Sequence, residues 1–67
     1  MYKPGTYIVT WEDGTGFKRG PVFETEKEAR DFANSVWKHR YVTEVNISKR
    51  VYRHKRRHTE MVASAHK

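Results

Sequence analysis

Lys49, Arg50, Arg53, Lys55, Arg56 and Arg57 place six cations within nine consecutive positions, with Tyr52 and His54 among them and His58 next after. Ammonium groups and guanidinium forks at this density suit phosphate. Each phosphate they neutralise releases condensed counterions, and the forks bind oxygens in pairs. The segment reads as a nucleic-acid contact, with DNA favoured over RNA. It contains few of the Asn or Gln amides that read adenine, so its contacts are expected to fall on phosphates and to tolerate sequence. Lys18 and Arg19 form a smaller basic pair nearer the amino terminus and join the candidate set as secondary contacts. Two other readings of the basic run stand beside this one: a patch for an acidic protein surface, and a solvated tail with no specific role.

Other chemistry is sparse. His54 and His58 lie four apart and would share one face of a helix, with Glu60 and His66 nearby, but no third ligand stands at a matching spacing and the surrounding cations disfavour a metal ion. Ser35, Ser48 and Ser64 have no His and Asp partners identifiable from spacing. Glu12-Asp13 falls in a turn, where solvation leaves carboxylates ordinary, and Gly14-Thr15-Gly16 is too short for a phosphate-binding loop. The expectation is a binding module with no catalytic residues, no metal and no cofactor.

Charge and composition agree with that expectation. Residues 1–40 hold seven Lys/Arg against six Asp/Glu, while residues 41–67 hold seven against two, so nearly all of the net +6 lies in the last third. A chain of 67 residues makes one domain with a thin core. There is no cysteine to staple it. Burial must come largely from Tyr2, Tyr7, Trp11, Phe17, Phe23, Phe32, Trp37, Tyr41 and Tyr52. No apolar run reaches the roughly 18 residues of a membrane span, and Met1-Tyr2-Lys3-Pro4-Gly5 leads directly into a strand pattern, so the expected setting is the cytoplasm, with no membrane contact.

The elements that must position these residues follow from periodicity. Thr6–Trp11 alternates, with Tyr7, Val9 and Trp11 on one side and Thr6, Ile8 and Thr10 on the other. Residues 12–16 supply a glycine turn, and Phe17–Phe23 returns as a strand that Gly20-Pro21 confines to an edge. Thr25-Glu26-Lys27-Glu28 has the form of a capping box, and Ala29, Phe32, Ala33, Val36 and Trp37 then mark one buried helical stripe. Residues 41–52 alternate again as a third strand. The expected fold is α+β: a ββαβ domain over residues 1–52, with a three-stranded antiparallel sheet of order 2-1-3 and the helix on one face. Residues 53–67 follow as a basic tail or a short helix with Met61, Val62 and Ala65 as a weak stripe, so truncation after Tyr52 is expected to leave the domain folded. The uncovered sheet face would carry Thr6, Ile8, Thr10, Lys18, Val22, Glu44, Asn46 and Ser48, a polar mixture without stacked aromatics. The third strand, as an edge, could pair with a second copy to give a homodimer.

Residues 5–37, with Tyr7-x-Val9-x-Trp11, the glycine turn, a basic return strand and Phe23-Glu24-Thr25-Glu26-Lys27-Glu28-Ala29 entering a helix, locally resemble the amino-terminal arm-type DNA-binding domain of phage integrases. The resemblance implies a sheet that enters the major groove, with Lys18 and Arg19 in the contacting hairpin. This chain departs from that pattern in having two strands, not three, before the helix. The short aromatic and basic chain is also similar in style to small accessory proteins of bacteriophages, which implies the alternative of a module that modulates a host or partner protein through its helix, sheet face or edge strand.

Overall fold

In the computed structural model, which describes residues 3–67, the elements run β1 (Tyr7–Glu12), β2 (Phe17–Phe23), α1 (Glu26–Trp37), β3 (Glu44–Arg53) and β4 (Arg56–His66). They form a four-stranded sheet of order β2-β1-β3-β4 in which every neighbouring pair is antiparallel. Tyr2, one of the expected core aromatics, lies outside the described residues.

The first half of the chain folds as its patterns dictate. Tyr7, Val9 and Trp11 face α1, with Val9 fully buried at the centre of the core. Pro21 sits on the edge strand β2, where a missing amide proton costs no ladder bond. Gly20 and Pro21 together oppose Val9, and this bulge shifts the register between Ile8↔Val22 and Thr10↔Arg19. The Thr25 hydroxyl caps α1 by accepting from the Glu28 amide at 3.2 Å and donating to Glu28 Oε1 at 2.8 Å. Ala29, Ala33 and Val36 are buried against Val9, Val45 and Ile47, and Phe32 and Trp37 pack half-buried on the same cluster. Val42, in the loop before β3, is buried with them, whereas Tyr41 is exposed ahead of the strand.

The three-strand order expected from the sequence is present, but the sheet has a fourth strand beyond β3. Residues 56–66 are neither a tail nor a short helix: β4 pairs along β3 from Arg53↔Arg56 to Glu44↔His66. Two features hide this strand in the sequence. Its alternation slips by one residue at Val62, the extra residue of a bulge between Ile47↔Ala63 and Ser48↔Met61, so Val62 and Ala63 both pack on the core. Its turn, His54-Lys55, also lacks the Asn-Gly or Asp-Gly that announces a two-residue hairpin. The far end of β4 is clamped: the Lys67 amide donates to Thr43 O at 2.9 Å, and its ammonium donates to Trp37 O and His39 O at 3.1 Å while lying over the Trp37 ring. Since β4 takes the outer position, β3 is central, and the edge once expected of β3 belongs to β4.

Candidate nucleic-acid interface

All six cations of the basic run are carried by the β3–β4 hairpin. Thr6 O accepts from the Arg50 amide and Arg50 O accepts from the Gly5 amide, both at 2.8 Å, which marks the limit of pairing with the β1 side among the described residues. Past Arg50 the hairpin continues as a two-stranded ribbon, Val51–Arg53 against Arg56–His58, turned by His54 and Lys55 with φ of 51° and 60°. Positive φ at both central positions matches a type I′ turn, whose twist suits the flanking strands. Histidine tolerates that region better than most residues, while lysine is strained there.

Alternation from the core fixes where each cation points. Lys49 pairs with Tyr7 on the helix side, its ammonium 5.9 Å from the ring centroid. Arg53 and Arg56 follow on the same side, directly opposite each other, and Arg50 and Arg57 lie on the other face with Tyr52. Lys55 occupies the tip. Like charges directly opposed across a ladder are destabilising. Against them stands Glu60, which pairs in register with Lys49 and makes an ion pair with Arg53. That exposed pair contributes at most about 1 kcal/mol, which leaves the tip strongly cationic.

Lys18 and Arg19 do not act as a unit. Past the β2 bulge, Lys18 pairs with Trp11 and so lies on the helix side, whereas Arg19 pairs with Thr10 on the open face. This corrects the expected placement of Lys18 on that open face. Arg19 instead joins Arg50 around a shallow depression lined also by Ile8, Thr10, Ser48 and Thr59. The open face is also less polar than expected. The bulges bring Phe17 and Met61 onto it, and Tyr52 stands at its ribbon end. Phe17 is 68% exposed, Tyr52 55%, Met61 62% and Val22 44%. Ile8, between Val22 on β2 and Ser48 on β3, is buried on this face but belongs to no part of the helix-side core. Tyr52 was visible in the sequence as an aromatic inside a basic run, whereas Phe17 and Met61 carried no signal until the bulges were known.

Elsewhere the chemistry is modest. His54 is in a turn and His58 in a strand, so the helical spacing that would have joined them is not formed, and no cluster of three His, Cys, Asp or Glu gathers among the described residues. Asp13 accepts from the Thr15 hydroxyl at 2.6 Å and the Thr15 amide at 3.1 Å, and these bonds hold its carboxyl below the ordinary 3.8. A cleft of about 300 Å³ lies between α1 and β4, floored by Val45, Ile47, Ala63 and Ala65, and the charged residue in its lining is Arg30. No helix among the described residues is long and apolar enough to cross a membrane. The chain matches no family model, no curated protein and no solved structure.

Proposed function

We propose that this chain is a non-enzymatic module that binds nucleic acid, DNA in the first instance, by inserting or laying the basic β3–β4 hairpin against phosphates. One observation carries the reading: Arg53 and Arg56 face each other across the ladder beside Lys55 at a strained turn, in a hairpin that extends past its β1 neighbour. Such an arrangement costs stability in the free protein that the exposed Arg53–Glu60 ion pair offsets only in part, and a local rule broken in this way points to a functional site. An anionic partner removes the cost. Phosphates on either side of the ribbon would neutralise Lys49, Arg53 and Arg56 on one face and Arg50 and Arg57 on the other. The width of a two-stranded ribbon also suits the major groove of duplex DNA, about 12 Å across. Base edges would be read weakly, because the ribbon presents arginines, lysines and histidines in place of a fixed set of amides.

The test is a map of amide resonances during titration with short duplex DNA and, separately, with an oligonucleotide that cannot pair. Support is a set of shifts concentrated in residues 49–58, with the exposed side of α1 unmoved. Shifts confined to α1, or none at micromolar protein, would remove the reading.

A further inference from the structure

We infer that the sheet face opposite the helix binds a single strand of nucleic acid, with a base stacked on Tyr52 and phosphates neutralised by Arg57, Arg50 and Arg19 along a diagonal from β4 to β2. This rests on the reading of the chain as a nucleic-acid binder and names the form of nucleic acid that the face takes.

Helix α1 covers the other side of the sheet, so nothing among the described residues covers this one. Large apolar side chains nonetheless stand exposed on it: Tyr52 and Met61 near the ribbon, Val22 beside Ile8. Exposed apolar groups rimmed by charge mark a partner surface, and the sign of the rim indicates which partner. Between Arg19 and Tyr52 every charged strand residue on this face is an arginine, since Glu60 lies on the helix side with Lys49. The acids of the face, Glu12 and Glu44, are paired with each other at the opposite end, next to Phe17. The surface is therefore cationic and apolar from its middle to the ribbon and anionic at the far end. A planar, anionic occupant fits the first part and is repelled from the second.

A duplex keeps the faces of its bases stacked inside, so it can offer Tyr52 only phosphates and sugar. An unpaired strand offers flat rings and phosphates together, the combination used by single-strand grooves. The dimensions agree. Residues two apart along a strand are about 7 Å apart and neighbouring strands about 4.8 Å apart, so Arg19 and Tyr52 are separated by roughly 22 Å, room for the roughly four nucleotides of a small single-strand site. Between them lies the depression lined by Ile8, Thr10, Ser48 and Thr59, where the Thr10, Ser48 and Thr59 hydroxyls can donate to sugar or phosphate oxygens. Phe17, although aromatic and exposed, lies among the acids and falls outside the path, which makes it an internal control.

The experiment is a fluorescence-anisotropy titration of a labelled oligothymidylate and of a blunt duplex of equal length, with the full chain and with Tyr52→Ala, Tyr52→Phe and Phe17→Ala, each shown to be folded by circular dichroism. The expected result is tighter binding of the single strand than of the duplex. Tyr52→Ala should lose about tenfold on the single strand and little on the duplex, Tyr52→Phe should recover most of that single-strand loss because it keeps the stacking ring, and Phe17→Ala, outside the path, should stay at wild-type affinity on both. Equal affinity for both nucleic acids, or equal weakening of both by Tyr52→Ala, overturns the inference and leaves the basic-hairpin reading standing. Failure to bind either one overturns both and turns the face over to a protein partner.

Discussion

Gly20→Ala should destabilise the fold although it adds a single methyl to an edge strand. Gly20 does not occupy the positive-φ region, so its need is for space. A Cβ built there would meet Phe32 Cε2 at 2.8 Å, and Phe32 Cζ and Trp11 Cζ3 at 3.2 Å. Carbon atoms prefer about 3.5–4.0 Å, so the Phe32 ring would have to retreat by close to 1 Å. It has little room to do so, because Trp11 at 5.8 Å and Phe23 at 5.3 Å, centroid to centroid, hold it in tilted contact on both sides. Overpacking of this kind costs about 1–3 kcal/mol, offset by up to about 1 kcal/mol because alanine loses less backbone entropy than glycine in a strand. The net loss is about 1–2 kcal/mol, which for so small a domain lowers Tm by about 4–8 °C per kcal/mol. Urea denaturation followed by tryptophan fluorescence measures it. Phe32→Leu in the same chain should recover part of the loss, and the double-mutant cycle isolates the coupling. If Gly20→Ala melts at or above the wild-type temperature, the Phe32 ring is free to move and β2 does not pack tightly against α1.

Further outcomes follow from the same geometry. Truncation after Tyr52 removes β4, strips the ladder from one side of β3 and uncovers the core beneath Val62 and Ala63, so the truncated chain should lose its dispersed amide resonances, the opposite of what the charge run alone suggests. The Asp13 carboxyl titrates below 3.8, held down first by the Thr15 hydroxyl and then by the Thr15 amide. Its contribution to stability is accordingly complete above that ordinary value and lost as pH falls through the lower folded value, and carbon-detected titration of Thr15→Ala should show the carboxyl returning toward 3.8. Lys55→Gly relieves a left-handed lysine and should raise thermal stability by roughly 1 kcal/mol while weakening nucleic-acid binding through the lost charge, a separation visible by melting and titration of one variant.

What the sequence made legible was the part in which local signals and tertiary demands coincide. The alternation of Tyr7, Val9 and Trp11, the Thr25 cap and the stripe from Ala29 to Trp37 each point to the element that forms, and Pro21 alone places β2 at an edge. The hairpin of β3 and β4 was hidden because its signals conflict. Arginine and lysine read as solvated chain, His54-Lys55 is a poor turn sequence, and the bulge at Val62 moves Met61 and Ala63 out of a common period. Side-chain direction was lost for the same reason at Lys18, where a bulge one turn of the ladder away reverses the face. The site residues were found by type, since charge density survives any register, but their division between two faces and a tip depends on pairing that only the folded sheet defines.

The salt dependence of DNA affinity shows whether the basic hairpin meets phosphates. Each phosphate contact on duplex DNA contributes about 0.9 to the slope of log affinity against log salt. A hairpin that enters a groove and uses both faces and its tip therefore predicts a slope near −5, while one lying on its helix-side face, with Lys49, Arg53 and Arg56, gives about −3. Replacing Arg53, Arg56 and Arg57 together with Ala should flatten the groove-entry slope by nearly three units and weaken all sequences alike. No binding to DNA or RNA at micromolar protein in about 50 mM salt, or a slope that the triple variant leaves unchanged, would mean that the β3–β4 hairpin is not the phosphate-binding element.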